Sequence, residues 1–323
     1  MKELNTKTVQ DTTSRTSSTP AGSVAGINPP PLGRLYTARG RRLALHRSGS
    51  GGPAVVFLPG SGMVGLDFLN IHEQISQFTT SVLYDRAGTG WSDNVALPRT
   101  ASEVTDELRS LLNEAGVPGP YVLVGHSLGG AYAQRYAQRF PDEVAGLLLL
   151  EPAHEDFNTS MPKQTALDQL RSVLASLRLL LHYKAFYRDL FSKMFATWPK
   201  AVREPLINWH LRSLTLTFQE WPSSDRMDKG RLMTELRNGG NRPDVPLIVL
   251  CATGIDPSMA AMMSETFLHN MNDGKRAIYR ALAESVPHGE YRELEDAGHS
   301  AMHTDRPDAV VQAIRDLVNA SRA

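Results

Sequence analysis

One stretch of this chain, Tyr121 to Phe140, constrains its fold more than any other. It begins with an aliphatic run that predicts a buried strand, and from Leu128 onward its residues recur at helical spacing. The junction reads Gly-His-Ser-Leu-Gly and places Ser127 between Gly125 and Gly129. A sharp strand-to-helix turn needs such Cβ-free neighbours, and it presents the serine hydroxyl at the helix N-terminus, where the helix dipole favours a developing negative charge. The junction therefore predicts that Ser127 is a nucleophile.

Composition narrows the class of protein. The 323 residues include 34 basic and 34 acidic side chains, and 41% are hydrophobic, so the chain can bury a sizeable core. Balanced charge argues against a nucleic-acid partner and gives no sign of an electrostatic membrane surface. Cys251 is the one cysteine, which excludes an intramolecular disulfide and predicts a buried, inert thiol. No apolar run reaches the length of a membrane span and the first residues lack a secretory signal, so we expect a cytoplasmic protein.

Strand-sized apolar runs alternate with helical periods on both sides of Ser127, after an opening hairpin. This alternation predicts an α/β fold: a mostly parallel, doubly wound sheet of about eight strands, with antiparallel strands at one edge. Residues 153–242 lack the apolar runs typical of strands and show only helical periods, which predicts a helical cap inserted over the sheet. The predicted division is a disordered tail at 1–33, an α/β core at 34–152 and 243–323, and the cap at 153–242.

Two loops before Ser127 also contain candidate functional groups. Pro59-Gly60-Ser61-Gly62 follows a buried strand, so its backbone N–H groups can point into a crevice. A phosphate loop is the alternative, but the stretch lacks the final Gly-Lys-Ser/Thr. Asp85 and Arg86 are predicted to fix a turn as an ion pair, with Ser92 as a local cap, and not to act in catalysis.

A serine nucleophile needs an imidazole to accept its proton and a third group to hold that imidazole. Of ten histidines, His299 is the best placed, because it follows the last predicted strand on a loop at the same sheet edge as Ser127. His303 is one helical turn further and is predicted to pack, and His126 is held in the turn beside the serine. We therefore predict that His299 is the base.

With these residues, the chain resembles the α/β-hydrolase fold family. The stretch Gly125-His126-Ser127-Leu128-Gly129-Gly130 is similar to that family's nucleophile motif. Asp85-Arg86-Ala87-Gly88-Thr89-Gly90 and Gly298-His299 match two further family stretches, and Pro59-Gly60-Ser61-Gly62 stands where the family usually has His-Gly. The resemblance extends from about residue 34 to the end, apart from the predicted cap.

The resemblance implies a serine hydrolase that needs no cofactor and no metal. Ser127 would be the nucleophile, His299 the base, and the backbone N–H groups of Leu128 and Ser61 the oxyanion hole. Because these donors belong to the backbone, the missing histidine before Gly60 matters little. A serine nucleophile also argues against epoxide hydrolases and haloalkane dehalogenases, which use aspartate.

Two carboxylates compete for the third position of the triad. Asp256 follows the strand that carries the acid in most family members, yet Asp256-Pro257 is also typical of a helix N-cap followed by proline. Glu151 ends a buried strand at a spacing from the nucleophile where some members, including certain lactone hydrolases, carry their acid. A carboxylate directly after four leucines needs a partner, which the imidazole would supply. We favour Glu151 and keep Asp256 as the alternative.

The sequence thus predicts a hydrolase of small-molecule carboxylic esters or lactones that acts through an acyl-enzyme. An amidase, a thioesterase or an acyltransferase of the same fold is the alternative, and so is a ligand-binding receptor that retains the triad. We expect no nucleic-acid and no membrane partner. The sequence does not identify the substrate, because the predicted cap carries no recognisable motif. It does not indicate the oligomeric state either.

Overall fold

The computed structural model describes residues 29–224, 230–240, 244–260 and 263–322. Within these ranges eight strands form one sheet in the order β1-β2-β4-β3-β5-β6-β7-β8. β2 runs antiparallel to both of its neighbours, and all other neighbouring pairs are parallel. The predicted α/β sheet with an antiparallel edge is confirmed. The strands are β1 (Arg34–Ala38), β2 (Arg41–Ser48), β3 (Ala54–Leu58), β4 (Ser81–Tyr84), β5 (Tyr121–His126), β6 (Val144–Leu150), β7 (Leu247–Ala252) and β8 (Gly289–Leu294).

Helices connect the strands and cover both faces of the sheet. A capping box begins α2, where Thr100 and Glu103 exchange side-chain and backbone hydrogen bonds. The helices are α1 (Leu69–Ile75), α2 (Ala101–Glu114), α3 (Leu128–Arg139), α4 (Phe157–Ser160), α5 (Ala166–Met194), α6 (Lys200–Ser224), α7 (Arg231–Asn238), α8 (Pro257–Ala260), α9 (Glu265–Glu284), α10 (Met302–Asp305) and α11 (Pro307–Ala320). Short 3-10 turns cover Gly65–Phe68, Pro141–Glu143 and His299–Ala301.

The sheet separates two hydrophobic cores because neighbouring side chains of a strand point to opposite faces. On β6, Leu147 and Leu149 pack into the core under α2, α3 and α9, whereas Leu148 and Leu150 pack into the core under α1 and α11. All four leucines are almost completely buried. The central strands are therefore apolar on both faces, and the polar groups of the protein collect where these strands end.

Between β6 and β7 the described residues of 153–242, which we term the helical insert, form α4 to α7 and no strand. The longest helix of the insert, α5, is continuous from Ala166 to Met194. The sequence there contains neither glycine nor proline, so nothing interrupts the helix. Trp198 joins the insert to the core, since its Nε1 donates to the Leu66 carbonyl at 2.8 Å.

The division into tail, core and cap stays a prediction. Its tail lies outside the described residues up to residue 28, and residues 29–33 lead into β1. None of the helices in the described ranges combines the length and the apolarity needed to cross a membrane.

Candidate active site

Ser127 occupies the turn between β5 and α3 in a strained conformation. Its φ is 50° and its ψ is −118°, a region that residues with a Cβ rarely adopt. Serine at a helix start usually caps the helix, but the Ser127 side chain accepts no hydrogen bond from the first turn of α3. Its hydroxyl is therefore not used by its own helix, as a nucleophile requires.

The turn is held by the segment that follows the next strand. The Ser127 N–H donates to the Leu150 carbonyl at 3.0 Å, and the Ser127 carbonyl accepts from the Ala153 N–H at 2.8 Å. Both backbone groups of the serine are thus bound to residues that flank Glu151. Glu151 itself has a φ of 43°, so two neighbouring strand ends carry strained residues that stabilise one another.

The loop after β3 passes directly over the first turn of α3. A Cβ added to Gly129 would lie 1.9 Å from the Leu58 carbonyl oxygen, so only glycine allows this approach. A Cβ added to Gly60 would lie 2.7 Å from Nδ1 of His126. This close packing brings the loop containing Ser61 next to Leu128, the first residue of α3. The two predicted oxyanion donors therefore belong to segments in contact.

Arg86 fixes the direction of the peptide that carries Ser61. Its guanidinium is buried and donates to the carbonyl of Pro59 and, at 2.9 Å, to that of Gly60. In a trans peptide the N–H points away from the C=O, so the Ser61 N–H points away from Arg86. Asp85 accepts from the N–H groups of two other loop residues at 2.9 and 3.0 Å. Arg86 thus acts on the predicted oxyanion loop, a role that the sequence did not predict, and the expected ion pair with Asp85 stays a prediction.

His299 lies on the loop after β8 and is bound to Glu151 at the end of β6. Its Nδ1 is 2.6 Å from Oε2 of Glu151. The backbone carbonyl of His299 is 2.8 Å from Nε2 of His126, and the two imidazole rings lie 4.9 Å apart. The imidazole is therefore held next to the residue that precedes Ser127, with one nitrogen engaged by a carboxylate.

The second oxygen of Glu151 has three further donors. Oε1 is 2.9 Å from Nζ of Lys275, 3.1 Å from the Ala252 N–H and 3.7 Å from Sγ of Cys251. Lys275 also donates to the Ala252 carbonyl. Glu151 is 1% exposed and Lys275 is 5% exposed, so this is an ion pair inside the protein. A buried carboxylate is stable only with such compensation.

The electrostatics keep Glu151 ionised. Burial on its own raises the pKa of this carboxyl, but the hydrogen bond and charge of His299, together with the charge of Lys275, outweigh it. The pKa of Glu151 therefore lies below its usual value. Burial, followed by the charge of Glu151, raises the pKa of the Cys251 thiol to about 12, so Cys251 stays protonated and donates.

The other candidates have different partners. The Asp256 carboxylate accepts from the Ser300 N–H at 2.9 Å and so fixes the backbone just after His299. His303 is buried against Phe68, with ring centroids 4.9 Å apart, and burial lowers its pKa to about 4. Burial also holds the pKa of His126 well below its usual value, with the charge of His299 adding to the effect. Each of these groups supports the His299 loop or the core beneath it.

A cavity of about 830 Å3 separates the helical insert from this edge of the sheet. Leu190, Met194 and Trp198 form one wall, and Gly298 and Ser300, on either side of His299, form part of the other. Ser127 is not among the residues that line it. The cavity therefore borders the imidazole loop from the side and has walls of mixed apolar and polar character.

The chain belongs to the α/β hydrolase family, whose sequence model matches residues 55–313. Over 297 residues it is 22% identical to the cis-3-alkyl-4-alkyloxetan-2-one decarboxylase of Shewanella oneidensis, with 89% of each chain covered. A Schizosaccharomyces pombe protein is 39% identical over 82 residues, which are 25% of this chain and 15% of that protein. This chain thus spans a small part of one curated relative and most of the other.

Solved structures share the fold at low sequence identity. The thermophilic esterase from Thermogutta terrifontis has a TM-score of 0.53 and 20% identity, with 90% of this chain and 98% of that chain covered. Est816, an N-acyl homoserine lactone degrading enzyme, has a TM-score of 0.53 and 18% identity, with 87% and 99% covered. At these identities the similarity shows the fold, and the chemistry has to be argued from the site.

Sequence reasoning missed Lys275 and the contact of Arg86 with the oxyanion loop. Lys275 is an ordinary basic residue in the pattern of α9, and no local signal distinguishes a buried lysine from an exposed one. Arg86 lies two residues after the buried strand β4, which could have indicated that it is buried but not what it contacts. Both roles depend on contacts between residues far apart in the chain.

The Glu151–Lys275 pair predicts a large loss of stability in Lys275→Met. Removing one partner of a buried pair leaves an uncompensated charge, so the free energy of unfolding near neutral pH should fall by about 3 to 5 kcal/mol. The matched control is Lys193→Met, whose partner Asp189 is 2.7 Å away in a pair that is 74% and 66% exposed. Denaturant unfolding should show a change of less than about 1 kcal/mol for the control.

The stability that the Glu151–Lys275 pair contributes depends on pH in a definite direction. The pKa of Glu151 is lowered in the folded state, so the stability it contributes is present above the unfolded pKa of about 4.3 and is lost as the pH falls through the folded value. The difference between wild type and Lys275→Met should therefore shrink below about pH 4. A difference of the same size at neutral and acid pH would contradict the ion-pair interpretation.

Proposed function

We propose that the protein is a serine hydrolase that cleaves a carboxylic ester or a lactone through an acyl-enzyme intermediate. The observation that carries this proposal is the 2.6 Å contact between His299 Nδ1 and the buried carboxylate of Glu151, at the sheet edge where Ser127 occupies a strained turn. Family membership supports hydrolase chemistry, and the esterase and the lactone degrading enzyme that share the fold are consistent with an acyl substrate.

In the proposed reaction, Ser127 Oγ attacks the carbonyl carbon while Nε2 of His299 takes the hydroxyl proton. Glu151 accepts from Nδ1, which leaves Nε2 free to act as the base and stabilises the imidazolium. The N–H groups of Leu128 and Ser61 donate hydrogen bonds to the carbonyl oxygen as it becomes negatively charged. Each donor lowers the activation free energy by roughly 3 to 4 kcal/mol. The imidazolium then protonates the departing alkoxide, and in a lactone this oxygen stays attached to the acyl group.

Hydrolysis of the acyl-enzyme repeats the same steps with water. His299 takes a proton from the water, whose oxygen attacks the acyl carbon, and then returns the proton to Ser127 Oγ. The Lys275 ammonium holds Glu151 ionised through both half-reactions, so the acid orients the imidazole without taking its proton. We assign Arg86 the task of keeping the Ser61 peptide in position, since its hydrogen bonds act on the preceding carbonyl.

Ser127→Ala tests the nucleophile. A fluorophosphonate probe should label wild type to one equivalent, and p-nitrophenyl acetate should give a burst followed by sustained turnover. Ser127→Ala should show neither, because the covalent route is lost while packing hardly changes. Ser321→Ala, which alters an exposed serine near the chain end, is the matched control and should behave as wild type. Labelling that persists in Ser127→Ala would refute the assignment, and one slow turnover in wild type would favour a receptor.

The matched pair Glu151→Gln and Asp256→Asn tests the acid. We expect Glu151→Gln to lower kcat by about three to four orders of magnitude, because the imidazole loses its tautomer and its counter-charge. Asp256→Asn weakens one hydrogen bond to the Ser300 N–H and should lose about 1 kcal/mol of stability and less than about tenfold in kcat.

A third variant separates catalysis from folding in this test. Glu151→Gln leaves the buried Lys275 without a counter-charge, whereas the double variant Glu151→Gln, Lys275→Met keeps the site neutral. The double variant should melt closer to wild type than Glu151→Gln and remain as inactive. If activity returned in the double variant, or if Asp256→Asn proved the more damaging change, the acid would have to be reassigned.

A further inference from the structure

His210 of α6 and Asp67 of the turn Gly65–Phe68 form a buried polar pair between the helical insert and the core. Nε2 of His210 is 2.7 Å from Oδ1 of Asp67. The two residues are 5% and 1% exposed. A carboxylate accepts hydrogen bonds and has none to donate, so the imidazole donates from Nε2. A polar contact enclosed this completely costs desolvation on both sides, and the proposed triad makes no use of it.

Aromatic side chains of the insert fix the orientation of this imidazole. The ring centroid of His210 lies 4.5 Å from that of Phe191, with 22° between the ring planes, and 5.7 Å from that of Phe195, with 20°. Trp209 meets the imidazole edge-on, with centroids 5.0 Å apart and 75° between the planes. Rings packed in this way have little freedom to rotate. The position of Nε2 is therefore set by α5 and α6 together.

Asp67 in turn holds the backbone that follows the predicted oxyanion loop. Its second oxygen, Oδ2, accepts from the Val64 N–H at 2.7 Å. The Asp67 N–H donates to the Val64 carbonyl at 3.2 Å, so both backbone groups of Val64 are bound to Asp67. The carboxylate thus joins an imidazole of the insert to a turn of the core.

This turn leads directly into the peptide that carries the Ser61 N–H. The residue before the valine, Met63, donates its N–H to the Gly60 carbonyl at 3.3 Å. The same carbonyl accepts from Arg86 at 2.9 Å, and the Ser61 N–H lies on the opposite side of that peptide. The direction of the Ser61 N–H thus depends on Arg86 at one end of the loop and on the turn held by Asp67 at the other.

We propose that His210 is a positioning residue for the oxyanion hole. By donating to Asp67 it holds the carboxylate in the rotamer that binds Val64, and it thereby keeps the Ser61 N–H directed toward the substrate carbonyl oxygen. This inference rests on the proposed function, since it gives Ser61 a part in that reaction. It adds that the helical insert acts on the chemistry through one buried hydrogen bond, and not only as the wall of a cavity.

Two substitutions of His210 separate the hydrogen bond from packing. His210→Phe keeps a ring against Phe191 and Phe195 but removes the donor, whereas His210→Gln loses the ring and keeps an N–H near the position of Nε2. With a p-nitrophenyl ester we expect His210→Phe to lower kcat at least about tenfold, with KM changed less than about twofold. His210→Gln should retain kcat to within about threefold. Packing alone would produce the reverse order, which would overturn the proposal.

A transition-state analogue shows whether the loss arises in the oxyanion hole. The carbonyl carbon of an alkyl trifluoromethyl ketone bonds to Ser127 Oγ, the hydroxyl proton passes to His299, and the ketone oxygen becomes an oxyanion, so the inhibition constant reports on the donors. We expect this constant to rise in His210→Phe by about the factor by which kcat/KM falls, and to stay near the wild-type value in His210→Gln. An unchanged inhibition constant beside a reduced kcat would overturn the proposal.

A second pair of variants serves if His210→Phe fails to fold because the buried carboxylate has lost its partner. Asp67→Ala removes the carboxylate and leaves a neutral imidazole, while Asp67→Asn keeps an oxygen that can accept from the Val64 N–H. We expect Asp67→Ala to lower kcat at least about tenfold and Asp67→Asn less than about threefold. Equal values in these two variants, both shown to be folded by their melting curves, would overturn the proposal.

Hydrogen exchange separates this inference from the proposed function. Peptides that cover residues 59–68 should exchange faster in His210→Phe than in wild type or in His210→Gln. If wild type turns over and both variants of His210 exchange and react alike, His210 is not a positioning residue and the serine hydrolase stands. An absence of Ser127 labelling and of turnover in wild type would instead overturn the proposed function, and with it the catalytic role of this loop, whatever the exchange rates.

Discussion

The candidate site depends on one buried carboxylate that three other parts of the chain hold ionised. Glu151 directly follows β6, its charge is balanced by Lys275 of α9, and it accepts hydrogen bonds from the Ala252 N–H at the end of β7 and from His299 after β8. A charge in this position needs such compensation, because burial on its own would favour the neutral carboxyl. The relative positions of these strand ends are thus fixed by the hydrogen bonds and the ion pair of Glu151 as well as by hydrophobic packing.

Strain at two adjacent turns is supported by the same arrangement. Ser127 and Glu151 both have positive φ, and the backbone of the serine is bound to Leu150 and Ala153 on either side of the acid. Neither turn would be stable alone, because each costs about 1 to 3 kcal/mol in backbone strain. The predicted nucleophile and its acid are therefore coupled through the backbone before any substrate is bound.

The sequence was sufficient to predict the sheet and the turn at Ser127, because both follow from local patterns. Apolar runs predicted the alternation of strands and helices, and the glycines around Ser127 predicted a sharp turn. The choice between Glu151 and Asp256 stayed open because it depends on which carboxylate meets His299, a contact across the whole sheet. The role of Lys275 was not predicted for the same reason, because its contact with Glu151 joins residues far apart in the chain.

The helical insert forms one wall of the cavity beside His299. Leu190 and Met194, near the C-terminal end of α5, form this wall together with Trp198. The Trp198 indole also donates to the Leu66 carbonyl, so the wall is attached to the core as well as to its own helices. The position of the wall therefore depends on contacts between the insert and the core. Local sequence patterns cannot show such contacts, because Leu66 and Trp198 are 132 positions apart in the chain.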